Sequence, residues 1–175
     1  MGLVHGARRA LEFGLIVISL LLMTSLAVLV VAAVGFRSAG ASLTWYDEVA
    51  SVMLAWITYY GAALAALRRA HLGFPNLVAA LPRSLRLLAL AISETAIITF
   101  FALAAYFGLQ VLDLLRGDTL ISLPWVRVEF TQSVIPIGAA LFIVAELFTI
   151  PDKVQEILSN KAPGELGHGV DASPR

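Results

Sequence analysis

The chain has 175 residues and a formal net charge of zero, with 59% hydrophobic and 14% charged residues and a mean hydropathy of +0.88. A soluble domain carries roughly 45–50% apolar and about 25% charged residues, so this composition belongs to an integral membrane protein. The neutral balance and the lack of any basic stripe exclude nucleic acid as a partner, and the absence of Cys excludes disulfides, thiolate metal sites and a Cys nucleophile.

The first apolar run, Phe13–Phe36, is free of charge over 24 residues and follows Arg8 and Arg9. A secretory signal has the same outline, but its apolar region is roughly 7–15 residues long, so this run reads as a helix that stays in the membrane. The second, Val49–Leu67, holds 19 uncharged residues. Asp47 and Glu48 stand before it, and Arg68, Arg69 and His71 follow it. Carboxylates at the start of a helix and cations at its end suit the helix dipole, which is enough to account for these charges. Trp45 is placed for the membrane interface, while Trp56, in mid-span, is expected to pack against protein. Small residues recur at four-residue steps in this helix, as Thr58, Ala62, Ala66 and as Gly61, Ala65. Such rows let helix backbones approach closely in lipid.

In the middle loop, Leu77, Leu81, Leu85 and Leu88 recur at helical spacing around Pro82. They predict either a helix lying in the interface, started or kinked by the proline, or a loop running straight into the third span. That third span covers about Leu87–Leu112 and includes Glu94. The segment from Arg116 to Gln132 is broken by Gly117 and Pro124 and carries Trp125, as an interfacial loop would. The fourth span, about Val134–Ile150, includes Glu146 and is expected to stop at Pro151. The fold class is therefore all-α: a polytopic membrane protein with four transmembrane helices in a single domain, residues 1–153. A polar C-terminal tail, 154–175, follows; it is glycine-rich from Lys161 and expected to be disordered.

Lys and Arg are retained on the cytoplasmic side. With four spans, both termini and the middle loop share one side, which holds Arg8, Arg9, Arg68, Arg69, Arg83, Arg86, Lys153, Lys161 and Arg175. The other side holds Arg37, Arg116 and Arg127. Both termini are thus expected in the cytoplasm, with Asp47 and Glu48 facing outward.

Carboxylates inside a bilayer are costly and mark candidate sites. Glu94 lies about 10 Å into the third span and Glu146 about 6 Å from the end of the fourth, at 1.5 Å per residue. Both fall in the cytoplasmic half, with no partner evident in either span. They could serve a proton or ion relay, or structural ion contacts between helices; a relay needs further sites at the midplane, so the structural reading is favoured. His71 is the one histidine near a span, so a two-histidine haem site and a redox-anchor role are disfavoured. No zinc-protease or nucleotide-binding fingerprint occurs, and no Ser or Thr in the spans has a histidine base at helical spacing. No enzyme activity, cofactor or metal is expected.

The stretch "DEVASVMLAWITYYGAALAALRRAHLGFP" resembles the signature region of the small, DctQ-like membrane subunit of tripartite ATP-independent periplasmic (TRAP) transporters. That pattern has an acidic pair, a mid-helix Trp, a Gly-Ala segment, then a basic residue and His. "SLPWVRVEFTQSVIPIGAALFIVAEL" is similar to the family's fourth-helix entry, with its Pro-x-Gly turn at Pro136 and Gly138. The resemblance runs to about Lys153. It implies a scaffold for a large, DctM-like membrane subunit that carries organic acids with sodium ions, supplied by a soluble, DctP-like periplasmic binding protein. Trp45, Asp47, Glu48, Trp56, Gly61, Ala65, Arg68, Arg69, His71, Pro136 and Gly138 are then expected at subunit contacts or in structural roles. No role carries over to Glu94 or Glu146. The alternative is a stand-alone oligomeric carrier or channel, which needs a polar site at the midplane.

Overall fold

The computed structural model describes residues 2–68 and 82–159. Arg69, His71, the interfacial pattern up to Leu81 and the tail from Asn160 lie outside the described residues. The first two helices, α1 (Gly2–Ser38) and α2 (Tyr46–Leu67), are followed by α3 (Arg83–Leu114), a short α4 (Val128–Gln132) and α5 (Val134–Leu158). Among the described residues, four segments are long and apolar enough to cross a membrane, with α4 and α5 counted as one. At 1.5 Å per residue the 37 residues of α1 extend about 55 Å, well beyond a hydrocarbon core of about 30 Å.

The two interior prolines act differently. Pro136 lacks the N–H that would bond to the Gln132 carbonyl, and α4 ends at that residue. Two residues into α5, Pro136 itself is tolerated, because a helix's first N–H groups have no partner in any case. Pro151 does not stop the last helix as expected; α5 runs through it to Leu158. The turn that follows is held from outside the helix, by the ion pairs of Asp152 with Arg8 of α1 and of Lys153 with Glu94 of α3. Pro82 precedes α3 with φ −61° and ψ 151°, so Leu85 and Leu88 belong to the third span itself.

The helices pack in the order α1–α2–α5–α3. Of the most apolar stretch of the fourth described span 44% is buried, against 6% in α1 and in α3, so α5 is the core of the described bundle. Its contact with α2 is made of small side chains: Ala63, Ala66, Ala139 and Ala145 are all fully buried. A Cβ on Gly138 would stand 2.6 Å from the Tyr59 Cβ, which only glycine permits at this crossing. On the opposite flank a Cβ on Gly108 would meet Ile135 and Pro136 at 3.0 and 3.1 Å. Near mid-span Phe101 of α3 stacks on Phe142 of α5, with ring centroids 3.7 Å apart. Close backbone approach and van der Waals fit are what hold helices together in lipid, where no hydrophobic pressure acts between them.

Candidate functional site

The bundle has a termini end, where α1 and α3 begin and α2 and α5 finish, and a loop end. At the termini end, α5 places Glu146 and Lys153 seven residues apart, close to two helical turns, and therefore on one face. Glu146 is fully buried and Glu94 of α3 is 8% exposed. The Lys153 ammonium lies between them, donating to Glu94 Oε1 at 2.7 Å and to Glu146 Oε1. Two carboxylates from neighbouring helices thus share one cation. The partner of the two glutamates is Lys153, two residues past Pro151 in the part of α5 beyond the expected end of the span.

A second clasp is built on α1. Arg8 Nη1 pairs with Asp152 of α5 at 2.8 Å, while its Nη2 donates to the Leu67 carbonyl at 3.2 Å. That carbonyl is among the last of α2 and has no acceptor role left inside its own helix. Arg68, just beyond α2, pairs with Glu12 of α1 at 2.8 Å. Every membrane-crossing helix is therefore tied to another at this end.

The loop end is held by a different chemistry. Glu48, in the first turn of α2, accepts the backbone N–H groups of Ile121 at 3.0 Å and Ser122 at 2.8 Å. Ser122 Oγ in turn donates to the Thr44 carbonyl. Charge-assisted bonds of this kind are stronger than neutral ones. The loop has its own frame: Leu120 N–H donates to the Val126 carbonyl and Val128 N–H to the Asp118 carbonyl, both at 3.0 Å. Gly117, at φ +91°, turns the chain into it, and its N–H donates to Glu129. Below the loop, the Trp56 indole N–H donates to the Thr131 carbonyl at 2.9 Å, and its ring packs against Phe130. Leu22, Val52, Met53, Trp56, Leu123 and Phe130 are among the residues that bound an apolar cleft of about 260 Å³ between α1, α2 and the loop.

The expected residues therefore fall into three groups. Glu94 and Glu146 meet through Lys153, and Arg68 joins the same end. Glu48, Trp56, Pro136 and Gly138 organise the loop end and the α2–α5 crossing, with Trp45 half-buried beside them and Asp47 exposed. Gly61 stands apart, since a Cβ there would meet nothing within 4 Å. Contacts within the chain do not use the Gly61–Ala65 row to bring helices together at that glycine. The residues that sequence reasoning passed over are Lys153, Arg8, Glu12, Asp152, Gly108 and Thr131.

The model of the family described as tripartite ATP-independent periplasmic transporters, DctQ component, matches residues 26–155, well over half of the chain. The chain belongs to the DctQ family. Among curated proteins none matches it. As a DctQ component it is a small membrane subunit of a TRAP transporter, a multi-pass transport protein rather than an enzyme, and membership implies association with DctM and DctP components. The match covers both clasps at Glu48 and at Glu94–Lys153–Glu146. Arg8 and Glu12 of α1 lie outside it, so two of the ion pairs at the termini end join the family region to a preceding segment.

Proposed function

We propose that this DctQ component is a rigid brace in the bacterial inner membrane, with both termini cytoplasmic, that scaffolds a DctM-like subunit for sodium-driven uptake of organic acids delivered by a DctP-like protein. The observation that supports this most is the fate of the buried charge. Glu94 and Glu146, the residues best placed to bind an ion inside the bilayer, are engaged by Lys153 in a contact that joins α3 to α5. Their role on this reading is to hold helices rather than to pass ions. The ion pairs at one end and the Glu48 clasp at the other fix the frame, and the wide apolar faces of α1 and α3 are available to lipid and to a larger partner. Trp45, Asp47, Gly61, Ala65, Arg69 and His71 are proposed to contribute to the partner contacts.

Reconstitution separates a brace from a carrier. Liposomes holding this chain alone should take up no organic acid under a sodium or proton gradient, and uptake should need the DctM-like subunit and the binding protein together. Uptake by the chain alone would replace the brace with a self-sufficient carrier. Orientation is checked with single cysteines. Ser38→Cys and Thr119→Cys should react with an impermeant thiol reagent outside intact cells, while Ser84→Cys and Ser159→Cys should react only after the membrane is opened.

A further inference from the structure

The loop between α3 and α4 presents two large apolar side chains outward. Ile121 is 93% exposed and Trp125 is 79% exposed. Leu120, Leu123 and Val126 of the same loop turn inward and line the cleft against α2. The loop is thus folded down on the bundle. Its depth is fixed by Glu48, which holds the N–H groups of Ile121 and Ser122 beside the first turn of α2, and by Ser122 against Thr44 just before that helix. Ile121 therefore stands level with the first turn of a membrane-crossing helix, where hydrocarbon gives way to headgroups. Tryptophan is favoured at that level, because its ring is apolar and its N–H can still find a polar partner. The charges of the segment do not point to an electrostatic contact. Between Leu115 and Arg127 they are Arg116, Asp118 and Arg127, and both arginines have acidic partners beside the loop, Asp113 and Glu129.

We propose that the loop from Leu115 to Arg127 is an interfacial foot, seating Ile121 and Trp125 at the headgroup–acyl boundary of the leaflet at the loop end, with Glu48 as the positioning residue that sets its depth. The partner is the lipid surface itself, and the contact is apolar. It holds for the chain by itself and is retained when the large subunit is present.

The sequence contains no Cys, so Ile121→Cys, Trp125→Cys and Asp118→Cys each take a single nitroxide label in the full chain. The labelled chains are placed in bilayer nanodiscs of zwitterionic lipid, and collision rates with oxygen and with a water-soluble nickel chelate are compared. The ratio of oxygen to nickel collisions should be several-fold higher at positions 121 and 125 than at 118, and should not change when anionic lipid is added. Glu48→Gln should bring the ratio at 121 down to that at 118, while a label at Leu147→Cys, on the exposed flank of α5, stays unchanged and reports an intact bundle. A ratio at 121 and 125 equal to that at 118 places the loop in water and overturns the foot. A ratio that rises only with anionic lipid overturns the apolar contact. Loss of collisions with both reagents when the large subunit is added shows a protein-covered surface and also overturns it. An unchanged ratio in Glu48→Gln removes Glu48 from the assignment.

Discussion

The two ends of the bundle are fastened by opposite means. At the termini end, side chains are joined mainly to side chains: Lys153 to two glutamates, Arg8 to Asp152 as well as to the Leu67 carbonyl, Arg68 to Glu12. At the loop end, side chains are joined to backbone, as Glu48 to two N–H groups and Trp56 to a carbonyl. The first arrangement sets helix against helix, and at the buried Glu94–Lys153–Glu146 cluster it is unforgiving, because a buried charge that loses its partner has no water to turn to. The second shapes a loop on helices that are already packed, and its failure can stay local. The difference separates the residues that make the bundle from those that make its surface.

The largest effect should come from the termini end. Lys153→Met leaves two carboxylates without their shared cation, and breaking a buried pair costs about 3–5 kcal/mol. The thermal midpoint of the purified chain should fall sharply. Adding Glu94→Gln and Glu146→Gln to the same variant should restore most of the loss, since the whole charged cluster is then gone. If the triple variant is no more stable than Lys153→Met alone, the cluster is not what joins α3 to α5.

A middle-sized effect is expected where the two regions meet. Gly138→Ala drives a Cβ into the root of the Tyr59 side chain, which cannot rotate away. Overpacking of this kind costs about 1–3 kcal/mol. The variant should show a lower thermal midpoint and α2 and α5 further apart, measured as a longer distance between spin labels on the two helices. Unchanged stability would mean that the crossing can spread at little cost.

Glu48→Gln should leave the thermal midpoint nearly unchanged and act locally, with faster hydrogen exchange at the Ile121 and Ser122 amides. A global loss of stability instead would erase the distinction between the ends. The smallest effect within the chain should be that of Gly61→Leu, since a Cβ at this position meets nothing within 4 Å. The isolated chain should keep its thermal midpoint, while co-purification with a DctM-like subunit should weaken by about one to two decades if this row is the seam. Intact co-purification would place the seam elsewhere.

Most of the fold is legible in the sequence because lipid leaves few choices. Uncharged runs of about 20 residues mark the four spans, and the acidic pair before Val49 marks the start of a helix. The candidate site is less so, and one assumption accounts for much of the difference. Ending the last helix at Pro151 hides Lys153, although its spacing of seven from Glu146 is the helical signal that would have joined them. Arg8 and Asp152 are 144 residues apart, and no periodicity within a single helix points from one to the other. Gly138 could be singled out by its motif, but not its contact with Tyr59. Gly61 sits in as good a small-residue row as any, and its contrast with Gly138 arises only once the order of the helices is known.

That order bears on how the chain is made. The core helix, α5, leaves the ribosome after α1, α2 and α3, and it is the principal partner of both α2 and α3. Until it is inserted, α3 sits in the bilayer with Glu94 lacking its lysine and Gly108 lacking the proline it packs against. The α1–α2 pair can form early, through Arg68 and Glu12, but the four-span bundle can close only once α5 has been made. A chain cut short before Val134 would leave three inserted helices with no centre, a product suited to capture by membrane quality control rather than to assembly.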